Sequence, residues 1–147
     1  MMASRRRGAD GGAVDSRDRW RRRVVLAQGV YYLLAGIWPL VHFPSYADVV
    51  AFAINPFQAQ AFGAVIAVVG GSLVESARRT PPTVYPTALA IAVAGAIALV
   101  SLIWLPREPR WTGLWLDVAF EAAFAVALVV LYPRAQSERS RTATRRR

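Results

Sequence analysis

LWLDVAFEAAFAVALVVLY, running from Leu114 to Tyr132, is apolar almost throughout, yet it carries two acids, Asp117 and Glu121, four residues apart. Its nineteen residues, rising about 1.5 Å each as a helix, come close to the ~30 Å hydrocarbon core of a bilayer. Spacing of i and i+4 puts both acids on one helix face, with Ala125 on the same stripe. A charge at mid-bilayer costs about 2.5–3.5 kcal/mol on insertion scales. The acids therefore turn toward other helices and away from lipid. The stretch predicts a membrane-spanning helix with one polar face inside a bundle.

Three further segments of the same kind precede it. The first runs over 24–43, VVLAQGVYYLLAGIWPLVHF, with Pro39 near its end, where few backbone bonds remain to be broken. The second covers 57–77 and stops before Arg78-Arg79. The third covers 85–105, from Tyr85-Pro86 to Leu105, and the fourth extends over 111–132 before Pro133. Each boundary carries a proline, an arginine pair or an aromatic anchor. The first link, PSYADVVAFAINP, holds Ser45 and Asp48 at capping-box spacing and Asn55-Pro56 as a stop, so a short interfacial helix or a loose loop is expected. The fold class is all-α, an integral membrane four-helix bundle over 21–133. Residues 1–20 and 134–147 are charged, with little to bury, and read as disordered tails.

All 18 cationic side chains are arginine, and the formal net charge is +9. Eight arginines lie at or before Arg23 and six at or after Arg134. With the N-terminus inside, sixteen arginines fall on the cytoplasmic side and two, Arg107 and Arg110, outside. That bias places both termini in the cytoplasm of an inner (plasma) membrane. It also makes the bilayer itself, with anionic lipids at the Arg-rich tails, the expected partner. Nucleic acid is not expected, since the tails lack interleaved aromatic and basic residues. The first span is too long for a signal-peptide core of about 7–15 residues, and no small-residue cleavage site follows it.

The remaining polar residues define the candidate site. Glu121 lies ten residues beyond Trp111, about 15 Å along the axis, near the bilayer midplane. Counted from Val24, Tyr32 reaches about 12 Å and shares that depth. Gln28, Tyr31, Tyr32, Asp117 and Glu121 form a candidate buried polar cluster, with His42 at its outer mouth. The carboxyls serve either as hydrogen-bonding struts between helices or as a titrating ligand site. Glu75 lies within a turn of Arg78 and Arg79 and is expected to pair with them. In the second span, Gly63, Ala67 and Gly71 fall on a small-residue stripe suited to helix packing, against another helix of the chain, a second copy or another membrane protein.

No cysteine is present and His42 is the lone histidine, so neither a thiolate site nor a multi-histidine metal site is expected. Glycine-loop, HExxH and GxSxG motifs are missing, and no cofactor or catalytic residue is assigned.

The run QGVYYLLAGIWPLVHFPSY, Gln28 to Tyr46, followed by a Gly-rich second span and WLDVAFEAAF in the fourth, resembles a group of small bacterial four-helix membrane proteins. The resemblance covers residues 24–132 and implies four helices and attention to the Asp117/Glu121 pair. It implies no activity. Small multidrug exporters have similar size, but their essential carboxylate lies in the first helix, where this chain has no acid. The functional expectation is a structural or partner-interacting membrane protein. A proton-coupled transporter or apolar-ligand binder using Glu121 is the alternative.

Overall fold

The computed structural model describes residues 3–50, 55–79, 84–104 and 112–132. Among these residues the chain is entirely helical: α1 (Ala3–Val41), α2 (Phe43–Val50), α3 (Pro56–Arg78), α4 (Val84–Trp104) and α5 (Thr112–Val130). The C-terminal tail lies outside the described residues.

Three helical segments are long and apolar enough to cross a membrane: Ser16–Val41, Pro56–Arg78 and Val84–Ile103. Their lengths of 26, 23 and 20 residues correspond to about 39, 34 and 30 Å of helix. Much of their surface is apolar and outward-facing; Val41 and Phe57 are 76% exposed and Val68 is 70% exposed. In water such a surface would be a large uncovered apolar patch, whereas lipid solvates it without penalty.

The helices associate as two pairs, α1 with α3 and α4 with α5, and the pairs meet mainly through α1, with a smaller contact of α3 on α4. The α1–α3 crossing is close because glycines of both helices face each other. A Cβ on Gly36 would collide with Ala67 N and Gly63 O, and one on Gly70 with Leu33 N. A Cβ on Gly63 would lie 2.6 Å from Gly36 O and from Pro39 Cγ. Gly29 completes the seam, its would-be Cβ 2.9 Å from Val74 N. Gly29 and Gly36 on α1, like Gly63 and Gly70 on α3, are seven residues apart, two helical turns, so they recur on one face.

This seam corrects part of the expected packing stripe. Gly63 and Ala67 belong to it, but a Cβ on Gly71 would meet nothing within 4 Å. Successive helical residues are rotated by about 100°, so Gly70 rather than Gly71 continues the face set by Gly63.

At the other end of the crossing, Arg22 Nε donates to Ala77 O at 2.6 Å. That bond satisfies a carbonyl in the last turn of α3 and puts a cation at the negative end of its dipole. Arg79 pairs with Glu75 at 2.9 Å, within the arginine pair expected for it.

Two boundaries differ from expectation. The segment whose composition predicts disorder, residues 1–20, is helical from Ala3 onward as part of α1. Alanine and arginine favour helix, and Arg21 bridges to Asp18 at 2.9 Å one turn back. Asn55-Pro56 starts α3 instead of only ending the preceding link: Asn55 Oδ1 accepts from Phe57 N at 2.9 Å, and Pro56 occupies the first turn.

Candidate functional site

The face of α1 that turns toward the α4–α5 pair carries Gln28 and Tyr32, one turn apart, with Tyr31 beside them. Helix α5 presents Asp117 and Glu121, again one turn apart. The structure joins all five into hydrogen-bonded chains.

The deeper chain starts at Gln28, which is fully buried. Its amide nitrogen donates to Ala90 O on α4 and to the Tyr32 hydroxyl, both at 3.0 Å. Tyr32, 1% exposed, in turn donates to Glu121 Oε2 at 2.6 Å. Three helices are thus tied together through one amide and one phenol. A hydrogen bond this short between hydroxyl and carboxyl oxygen belongs to the strong, charge-assisted range.

The outer chain centres on Asp117. Its Oδ1 accepts from Tyr31 at 3.1 Å and its Oδ2 from Ser101 Oγ at 3.0 Å. Tyr31 is held by aromatic neighbours, with ring centroids 5.8 Å from Tyr32, 5.6 Å from Phe120 and 6.0 Å from Phe124. Such tilted pairs favour one ring orientation and aim the hydroxyl at Asp117. Asp117 is half-buried, whereas Glu121 is 1% exposed. The two acids therefore differ in their access to solvent although they share a helix face.

Ser101 is a member that sequence reasoning passed over, having no base near it in the chain. A usable signal existed: Ser101 and Asp117 lie at similar distances on either side of the connection between the last two spans. Antiparallel neighbours bring such residues to one level. The Ala90 carbonyl carries no such signal, because its role depends on where the Gln28 side chain reaches.

His42, expected at the outer mouth, lies between α1 and α2. It is exposed and caps α2: Ser45 N–H donates to His42 Nδ1 at 3.2 Å, and Ser45 Oγ lies 2.8 Å from the same nitrogen. The backbone bond makes Nδ1 an acceptor, so a neutral ring carries its proton on Nε2. Trp38 Nε1 donates to Ser45 Oγ at 2.8 Å and closes the turn. Ser45 therefore lies inside the helix that it was expected to cap. The residue of α2 that senses the cluster is Tyr46, stacked edge-on to Trp38. Burial pushes its phenol above the ordinary value, and the negative charge of Asp117 adds to the shift.

The fold and site together define an all-helical protein with three helices able to cross a membrane and a buried polar network between its helical pairs. No family model matches the chain, and no curated protein or solved structure matches it significantly.

Proposed function

We propose that the chain is a multi-pass protein of the bacterial inner membrane, a four-span bundle with both termini cytoplasmic, in which buried carboxyls clasp two helical pairs together. Helix α5 supplies the fourth span: its 19 residues make about 28 Å of helix, and it pairs with α4. The arginine bias supports the orientation, and the resemblance to small bacterial membrane proteins supports the setting. The role is structural or partner-interacting, with no enzymatic activity assigned.

The observation that carries the clasp is the Tyr32–Glu121 bond of 2.6 Å, in a chain that continues through Gln28 to Ala90. In lipid, apolar faces gain nothing by leaving a solvent as apolar as themselves, so close packing and interhelical hydrogen bonds drive association. Glycine packing joins α1 to α3. Polar side chains join that pair to α4 and α5.

Thermal unfolding of Glu121 variants in detergent tests this reading. Glu121→Gln keeps a carbonyl oxygen for the Tyr32 hydroxyl and should lose less stability than Glu121→Leu. Glu121→Leu leaves that hydroxyl buried without its acceptor, at a cost of about 1–3 kcal/mol. At about 2–4 °C per kcal/mol for chains near this size, the loss is several degrees. A leucine variant as stable as wild type would remove the clasp.

A further inference from the structure

Both helices of the glycine seam change from apolar to cationic at one level. On α1 the change falls between Arg23 and Val24, and on α3 between Ala77 and Arg78. The bond from Arg22 Nε to Ala77 O ties the two changes together, and Arg22 Nη2 donates more weakly to Arg78 O at 3.4 Å. Arg22 is thus half-buried and held in place, yet its partners are neutral carbonyls and the rest of its donor fork is uncommitted. Arg23 leans over the Trp20 ring, 5.3 Å from its centroid, and Arg78 is exposed. Arg22, Arg23 and Arg78 form no ion pair among the described residues; the acids of this end, Asp18 and Glu75, pair with Arg21 and Arg79. Positive charge is therefore in excess here.

A second observation is the surface beside this patch. Successive residues turn by about 100°, so Leu26 and Val30 fall about 40° and 80° around α1 from Arg22, inside the arc bounded by Arg22 and Arg23. That arc faces outward: Leu26 is 37% exposed, Val30 is 42% exposed, and Leu34, 65% exposed, continues the stripe. From Arg23 to Leu34 the helix rises about 16 Å, close to half of the ~30 Å hydrocarbon core. A pair of cations thus stands at the head of an apolar track as deep as one leaflet. A soluble phosphate would use the cations and leave the track, whereas an anionic phospholipid matches both.

We propose that this end of the seam binds one anionic phospholipid, its headgroup phosphate on the arc between Arg22 and Arg23 and an acyl chain laid along Leu26, Val30 and Leu34. Arginine suits phosphate because parallel N–H groups of the guanidinium meet two oxygens at once. Holding Arg22 on Ala77 O beforehand reduces the side-chain freedom lost on binding. Arg78 adds attraction from the α3 side. This is a single place with a chain track, distinct from the diffuse attraction of the arginine-rich tails. Because Arg22 belongs to α1 while Ala77 and Arg78 belong to α3, a lipid bound here braces the pair. The inference rests on α1 and α3 crossing the bilayer and is independent of the Tyr32–Glu121 clasp.

The test uses the full chain purified in an uncharged detergent and titrated with dioleoyl phosphatidylglycerol or with dioleoyl phosphatidylcholine. Native mass spectrometry counts bound lipid, and tryptophan fluorescence follows melting. Wild type should retain one phosphatidylglycerol and gain about 4 °C at roughly ten times its dissociation constant, with no such gain from phosphatidylcholine. Glycerol phosphate, which has the charge without the chains, should neither stabilise nor compete. Arg23→Gln should weaken binding about fivefold and Arg22→Gln more. Arg146→Gln, which removes the same charge from the tail, should bind as wild type. Arg22→Gln also loses the bond to Ala77, so Arg23→Gln, at an exposed residue outside that bond, decides the matter if the former does not fold. Equal retention of the two lipids, competition by glycerol phosphate, wild-type binding in Arg23→Gln, or a loss in Arg146→Gln as large as in Arg23→Gln overturns the site. A detergent-dependent chain indifferent to lipid charge loses the site alone. A chain that stays in solution without detergent loses the spanning helices on which site and bundle both rest.

Discussion

Substituting alanine at single glycines of α1 and α3 measures how tightly the two helices are joined. At Gly36 the new methyl would strike backbone atoms, Ala67 N and Gly63 O, and at Gly70 it would strike Leu33 N. Backbone cannot rotate aside as a side chain can, so the helices must separate. At Gly63 the contacts stand at 2.6 Å, and ordinary van der Waals contact begins at 3.4 Å. Relief there requires a shift of about 0.8 Å; the Pro39 ring can give way at its own contact, but the contact with Gly36 O is backbone. At Gly29 the closest contact is 2.9 Å, and the shift is about 0.5 Å. Overpacking of this kind costs about 1–3 kcal/mol, against which alanine recovers up to about 1 kcal/mol of helix propensity. Gly71 is the internal control, since its methyl meets nothing within 4 Å and only the propensity gain remains. The expected order of melting temperatures in detergent is Gly71→Ala at or above wild type, then Gly29→Ala and Gly63→Ala, with Gly36→Ala and Gly70→Ala lowest. Retention of a monodisperse peak on size-exclusion chromatography separates loosening from aggregation. If Gly36→Ala melts as high as wild type, or Gly71→Ala falls as far as Gly70→Ala, the seam described for α1 and α3 is wrong.

Ser101→Ala removes one of two donors to Asp117 and should lower stability by about 0.5–1.5 kcal/mol; an unchanged melting temperature would show that the bond contributes nothing. The natural chain has no cysteine, so topology can be read with single introduced thiols. Glu108→Cys should label with a membrane-impermeant maleimide on intact cells, and Ser137→Cys only after permeabilisation. The reverse pattern would invert the proposed orientation.

Much of the candidate site was legible in the sequence because depth along a membrane helix is nearly one-dimensional. Counting about 1.5 Å per residue from each span edge brought Tyr32 and Glu121 to one level, and the structure sets them 2.6 Å apart. Local spacing likewise put Asp117 and Glu121 on one face. Depth counting says nothing of local contacts, and the His42 ring is used locally, to cap α2. The helical path of residues 3–20 was missed for a related reason. Composition measures how little a segment can bury, whereas a helix already begun in an apolar span extends without a new nucleation cost.

What the sequence determined by itself is the apolar length of its segments, the bias of its arginines and the scarcity of its polar groups, each a property of the chain read along a line. Only the tertiary structure decided helix rotation and pairing. It chose Gly70 over Gly71, faced Gly29 and Gly36 with Gly63 and Gly70, and recruited Ser101 and the Ala90 carbonyl to the acids of α5. The physical reason is that a one-residue step turns a side chain by about 100° around the helix. In a chain this apolar all round, the face that turns inward is selected by how closely backbones can approach and which polar groups find partners.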